Sequence, residues 1–239
     1  MTWRAGAVAL VLALVPAGGA QAAGPVVAID PGHDERANLA TEPIGPGSAS
    51  GKTKDGGGTH GVMTGIREAD LVLDVSLRLR ALLRRAGVSV VMTRTRTAGP
   101  SMGNIARARI ANRARAALFL RVHADGHPSR SVRGTHLLVP ARRHGWTDDV
   151  YRPSKRAASQ ILPELVRTLG FPDRGISERP DFTGFNWADV PVILVELGFM
   201  TNPVEDLQLA RADVRDRAAL GLCRGTLRAL RLAPSRCRL

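Results

Sequence analysis

Residues 25–33 read PVVAIDPGH. A short apolar run, rich in β-branched residues, closes on an aspartate, a turn pair and a histidine. That is the signature of a buried strand that stops at a loop. The same pattern returns along the chain. Residues 88–93 (VSVVMT) form one further run, residues 118–122 (LFLRV) lead directly into His123, and residues 191–195 (PVILV) lead into Glu196. Residues 134–139 add another candidate strand. These runs are continuously apolar instead of alternating, as expected for strands covered on both faces.

The intervening segments carry a helical period. Leu71, Val75, Leu79, Leu82 and Ala86 make one apolar stripe over residues 68–86, and Gly87 follows where a helix commonly stops. Residues 104–115 form a second helix. Residues 154–169 fit a third, which Pro163 is expected to kink or divide. Residues 213–232 form a last helix, with Asp213 as a plausible N-cap. Strands alternating with helices indicate an α/β fold. Residues 34–65 carry no periodicity and many Gly, Ser, Thr and Pro residues. Such a length is unusual for a plain connection, so it is read as a functional loop or as disorder. There is no internal repeat, no second domain and no low-complexity linker.

Composition bounds the function. The chain has 239 residues, 44% of them apolar, enough for one sizeable core. Aromatic residues are only 4% and the formal charge is +13. The charge favours a polyanionic partner. The scarcity of aromatics argues against a stacking platform for single-stranded nucleic acid. At the N-terminus, Arg4 precedes an apolar run over residues 5–15, then Pro16 and the small residues of Ala20-Gln21-Ala22. This reads as a signal peptide over residues 1–23, leaving a domain over residues 24–239 that works outside the cytoplasm. The run is well below the ~20 residues that span a bilayer, and no later segment is long and apolar enough to be transmembrane.

Three polar residues stand where strands end or a helix begins: His33, Glu68 and His123. In open α/β sheets, ligand sites form outside the carboxyl ends of the strands. Two imidazoles and one carboxylate there suit a catalytic zinc ion with a position left for water. Glu196 closes the last strand at the same edge and suits a proton carrier for amide hydrolysis. Each residue has a plainer reading. A solitary histidine after a strand is more often a structural hydrogen-bonding group, and a glutamate at a helix start favours the helix dipole. His60 falls in the Gly-rich loop, and Asp125, His127, His136 and His144 are read as surface or loop groups.

The combination carries a resemblance. VVAIDPGHD (residues 26–34), GIREADLVLDVSLRLRALL (65–83), GVSVVMTRT (87–95), NIARARIAN (104–112), LFLRVHADG (118–126) and VPVILVELGFMTNP (190–203) stand in the order found in zinc-dependent N-acetylmuramoyl-L-alanine amidases of the family-3 type. The long loop and GFNWADVP (184–191) resemble a subgroup of secreted members. The resemblance implies a single Rossmann-like mixed sheet of about six strands with helices on both faces. It implies that His33, Glu68 and His123 bind Zn2+ and that Glu196 is the catalytic carboxylate. It implies peptidoglycan as substrate, cut between the lactyl group of N-acetylmuramic acid and L-alanine. Two positions depart from the family's habit: Ala69, where a larger side chain is common, and Asp125, where asparagine is common.

Other readings remain open at this level. A zinc peptidase of wall peptides has a similar residue set. A non-catalytic wall-binding or regulatory protein usually lacks a ligand or the catalytic glutamate, and all four are present here. A nucleic-acid binder rests on charge alone, because the arginines are scattered over helices without aromatic interleaving. Anionic wall polymers are a possible partner for the basic surface. No helical seam demands a second copy, so a monomer is expected. Cys223 lies on the stripe of Leu220, Leu227 and Leu230, which suits a buried thiol. Yet a tail leaving the helix near Leu232 can span about 17 Å to Cys237, enough to fold back and pair. A Cys223–Cys237 disulfide is the expectation.

Overall fold

The computed structural model describes Met1 and residues 24–99 and 101–239. The expected signal peptide therefore lies outside the described residues. Among the described residues, eight strands and six helices follow in the order β1 (Val26–Pro31), β2 (Asn38–Pro43), β3 (Gly51–Asp55), α1 (Glu68–Arg85), β4 (Ser89–Met92), α2 (Asn104–Arg113), β5 (Leu118–Asp125), β6 (Thr135–Pro140), α3 (Tyr151–Leu169), β7 (Asp173–Arg179), α4 (Thr183–Asn186), β8 (Val192–Phe199), α5 (Pro203–Leu209) and α6 (Ala212–Ala229). A single 3-10 turn, Pro234–Arg236, closes the chain.

Six strands form one mixed sheet in the order β4-β1-β5-β8-β6-β7. The central strands β1, β5 and β8 run parallel, so their carboxyl ends lie along one edge. These are the continuously apolar runs of the sequence, and they are buried along nearly their whole length. β6 pairs with β8 in the antiparallel sense, which makes the sheet mixed. On one face, Leu79 and Leu83 of α1, Ile161 and Leu165 of α3 and Leu222 of α6 pack on Val27, Ile29, Leu120 and Val195. On the other face, Ala108 and Ala111 of α2 and Phe185 of α4 cover Ala28, Phe119 and Leu194. Both faces of the sheet are thus sealed by helices, as the strand pattern required.

The helix α6 reaches α3 through two glycines. A β-carbon on Gly225 would stand 2.6 Å from the Ile161 Cα, and one on Gly221 would stand 2.9 Å from the Leu165 Cα. Neither contact is possible for a side-chain-bearing residue without separating the helices. α3 continues undivided through Pro163, so of the expected kink or division the division does not occur. It is held on both sides, by α6 and by the sheet, and eight of its residues are buried. The last helix begins at Ala212, so Asp213 sits within its first turn, where a carboxylate still suits the helix dipole, and is not the N-cap. Cys223 and Cys237 form a disulfide with their Cα atoms 6.1 Å apart, both fully buried.

Of the two readings of segment 34–65, a functional loop or disorder, disorder does not hold. The segment contains the antiparallel hairpin β2-β3, a separate two-stranded sheet. Its strands are short, polar and half exposed, so they carry no apolar period to read. Side chains dock it at the edge of the main sheet. The Glu42 carboxylate accepts from the backbone N–H groups of Asn104 (2.6 Å) and Ile105 (3.2 Å), capping α2, whose own N-cap residue Gly103 has no side chain to do so. Asn186 Nδ2 donates to the Ile44 carbonyl, and Trp187 Nε1 donates to the Pro43 carbonyl. Lys52 pairs with Asp181 at 2.9 Å. The edge strand β7 and the short helices α4 and α5 were also unread in the sequence. β7 is exposed along most of its length and follows no binary pattern.

Candidate active site

The loop after β1 is shaped by arginines. Arg94 Nε donates to the Pro31 carbonyl and its Nη2 to the Gly32 carbonyl. Arg107 Nη1 donates to the Pro31 carbonyl, and its Nη2 to both the His33 carbonyl and the Asp34 carboxylate. This clamp holds His33 in the left-handed backbone region, φ 56°. Such a conformation is uncommon for a residue with a side chain and persists where surrounding contacts over-determine it. Asp30, fully buried, receives Arg107 Nη1 at 2.6 Å, Arg121 Nε at 2.8 Å and the Thr93 hydroxyl at 2.6 Å. Burial alone would raise its pKa, but the two guanidiniums and the hydroxyl override that and hold the carboxyl well below the usual range.

His33, Glu68 and His123 come together at the carboxyl edge of the sheet. Each offers one ligand atom, and these atoms lie within 4.8 Å of one another. Glu68 opens α1, as read in the sequence. His123 and Glu196, in contrast, do not follow their strands: β5 continues to Asp125 and β8 to Phe199, and the two residues are register partners inside the sheet. The strands run on because the chain beyond each is still paired and covered, which a search for apolar runs does not register. Glu68 Oε1 stands 3.3 Å from His33 Nε2 and 3.0 Å from His123 Nδ1. Its Oε2 accepts from the Thr59 N–H at 3.0 Å. Gly58 makes room for this arrangement, since a β-carbon there would lie 2.8 Å from Glu68 Oε2 and 2.9 Å from the His33 ring.

The environment sets the charges. Burial opposes ionisation of Glu68, but hydrogen bonds from both histidines outweigh it and hold the carboxyl far below its ordinary value. Burial also works against protonation of His33. Its hydrogen bonds to Asp55 and Glu68 prevail and raise its pKa to about 9. Burial depresses His123 below the usual histidine value, with Glu68 opposing. The Glu196 carboxyl is pushed well above the carboxylate range, chiefly by burial and then by Glu68 and Asp125, against the pull of Arg121.

The residues present fit a metal ion. His123 Nε2 and Glu196 Oε2 are both buried without a hydrogen-bond partner, and orphaned polar atoms of this kind ask for a ligand or water. Two imidazoles and a carboxylate form a donor set suited to zinc.

Asp55, at the end of β3, was missed in the sequence. Its Oδ1 lies 2.6 Å from His33 Nδ1, and its Oδ2 accepts from the Asp34 N–H at 2.9 Å. A lone aspartate before three glycines gives no signal of such a role, because the contact depends on how the hairpin folds back. Asp125 and His136 are also placed differently from the sequence reading. His136 lies in β6 opposite Glu196, mostly buried and stacked on Phe199, with Asp125 Oδ2 3.5 Å from its Nε2. His127 lines the open side of the site. His60 makes an isolated bridge to Arg67 and is not part of the ligand cluster, and His144 is fully exposed. Ala69 is buried, and its carbonyl accepts from Arg94 Nη2 at 2.8 Å.

Comparison with known proteins identifies the family. Residues 27–228 match the family described as N-acetylmuramoyl-L-alanine amidase. The chain belongs to this family. Among similar amidases, an N-acetylmuramoyl-L-alanine amidase of Mycobacterium tuberculosis is 32% identical over 217 residues, covering 86% of this chain and 86% of that protein. The N-acetylmuramoyl-L-alanine amidase LytC of Bacillus subtilis is 29% identical over 206 residues, but those cover only 35% of its own length. Among solved amidase structures, the N-acetylmuramyl-L-alanine amidase from Mycobacterium smegmatis superposes with a TM-score of 0.79 at 30% identity, covering 87% of this chain and 97% of that one. The six-stranded mixed sheet expected from the resemblance is the sheet found here.

Proposed function

We propose that this amidase hydrolyses the bond between N-acetylmuramic acid and L-alanine in peptidoglycan, with zinc held by His33, Glu68 and His123 and with Glu196 as the proton carrier. One observation carries the reading. A buried carboxyl with an unpartnered oxygen, Glu196, lines the same hollow as His33 and His123, within a chain of the amidase family. Zinc bound there supplies polarisation of the scissile carbonyl and a water acidified toward neutral pH.

The chain's own residues do the rest. Without a cation nearby, burial and then its acidic neighbours Glu68 and Asp125 disfavour the Glu196 carboxylate and push its pKa upward. A positive charge at the ligand cluster favours the ionised form, which can take a proton from the attacking water. Glu196 then returns that proton to the departing nitrogen, which leaves poorly unless protonated. Glu68 stays ionised throughout, and Asp55 fixes the His33 ring by accepting at Nδ1.

The substrate lies outside the cytoplasm, which agrees with the signal-peptide reading of residues 1–23. No helix among the described residues is long and apolar enough to cross a membrane. The chain acts as a monomer in this reading, with its basic surface meeting anionic wall polymers.

The test is Glu196→Gln, nearly isosteric and uncharged. Digestion of purified sacculi, followed by mass spectrometry of the fragments, should show release of intact stem peptides by the wild type. The variant should lose about 10²–10⁴-fold in turnover while keeping its fold and full zinc content. Near-normal turnover, or inactivity explained by lost zinc, would sink the assignment. Cleavage only within the stem would favour a peptidase instead.

A further inference from the structure

Two hollows meet at the ligand cluster. One is open and includes Thr59, His127 and Thr201. The other is a cavity of about 250 Å3 walled by the β2-β3 hairpin on one side and by α4 on the other. Its lining includes Lys52, Lys54, Arg107 and Arg121 alongside Glu196. At that size it lies just below the roughly 300–1,000 Å3 of pockets for drug-sized ligands, so it suits a short segment of substrate.

Charge in this cavity does not cancel. Behind it stands a buried cluster of Asp30, Asp34, Arg94, Arg107 and Arg121, so three guanidiniums face two carboxylates. The hydrogen bonds locate the surplus. Arg94 and Arg107 commit each of their nitrogens to carbonyls or carboxylates. Arg121 commits Nε to Asp30 at 2.8 Å and Nη2 to the Asn104 side chain at 2.7 Å, while Nη1 has no hydrogen-bond partner among the described residues. That guanidinium lies against the Gly184 backbone, where a β-carbon would collide with Nη1. The neighbouring Thr183 lines the same cavity, is 2% exposed, and has a buried hydroxyl without a partner. A fixed cation and an idle hydroxyl, both donors, are the complement of one carboxylate.

We propose that Arg121 and Thr183 form a subsite for a free carboxylate on the stem peptide close to the cut bond, so that the enzyme prefers stems in which this group is not amidated. The assignment rests on the amidase reading, which places a stem peptide on one side of the cut bond. The smaller cavity beside the hairpin takes the peptide, and the larger hollow leaves room for the continuing glycan. Removing Arg121 leaves Asp30 with Arg107 and Thr93, so the buried carboxylate keeps partners and the fold should survive.

The test measures binding directly on the zinc-loaded full chain, using the dipeptide L-Ala-γ-D-Glu and its α-amide by calorimetry or NMR titration. The free acid should bind about 10–100-fold more tightly, the range expected for a charge-assisted hydrogen bond to a buried cation. Arg121→Gln should bring the two affinities within about twofold of each other, and Thr183→Val, which leaves the charge cluster intact, should reduce the gap by about fivefold. Equal binding of acid and amide by the wild type overturns the proposal, as does a preference that survives both substitutions. Tighter binding of N-acetylmuramic acid than of the dipeptide also overturns it, by giving the cavity to the lactyl side. Failure of the amidase reading is separate: it would appear as sacculi left uncut at the lactyl amide.

Discussion

Asp55→Asn tests how the hairpin supports the metal cluster, and its effect should depend on pH in a defined direction. Asp55 accepts at His33 Nδ1 over 2.6 Å and also receives the N–H groups of Asp34 and Gly57 at 2.9 Å each. The asparagine carbonyl can keep part of this network but loses the negative charge. An outer carboxylate that orients and enriches a ligating imidazole contributes about 10–100-fold to metal affinity. A second effect opposes this one. In the metal-free protein His33 has its pKa raised to about 9, because Asp55 and Glu68 outweigh burial. Zinc must displace that proton. Affinity in the wild type therefore rises with pH until about 9, and at pH 7 proton competition weakens it by about 100-fold. Without the Asp55 charge, the His33 pKa falls toward its ordinary value and the competition shrinks. The variant should thus bind zinc about 10–100-fold more weakly at pH 9, with the gap narrowing or closing at pH 7. Competition with a chromophoric chelator across this range reads both quantities without reference to activity. Affinities within twofold at pH 9, or parallel pH profiles, would refute the reasoning.

Reduction of Cys223–Cys237, which closes a 14-residue separation, should cost about 3 kcal/mol and lower the thermal midpoint by several degrees in calorimetry with and without reductant; an unchanged midpoint would show that packing of the tail on α6 suffices. Binding to intact sacculi should weaken steadily as salt is raised, since exposed charges are screened beyond ~8 Å at physiological ionic strength. A flat pelleting curve from low to high salt would remove anionic wall polymers from the picture.

Much of the architecture was legible because burial leaves a periodic trace. The apolar runs behind β1, β5 and β8 and the stripe of α1 follow from covering a sheet on both faces. The hairpin and β7 were not legible, since half-exposed polar strands answer to partners distant in sequence. Pro163 does not divide α3 for a related reason: packing of α3 on α6 and the sheet outweighs a single lost helical hydrogen bond.

What the sequence by itself determined is the α/β class and the family resemblance, and it singled out His33, Glu68, His123 and Glu196 as the candidate site, which the fold brings to one edge of the sheet. Each stands at or near a position where a periodic element meets a polar side chain, which is a local property. What only the tertiary structure decided is the surroundings that give those residues their chemistry. Asp55 reaches His33 across 22 residues of chain, and Arg121 reaches Asp30 across 91. Thr183 and Gly184 come to Arg121 from an element with no periodic signal. Ionisation depends on distance and burial, and neither is written in local order. The sequence names the candidate ligands, and the folded chain sets the charge around them and leaves one nitrogen of the Arg121 guanidinium without a hydrogen-bond partner among the described residues.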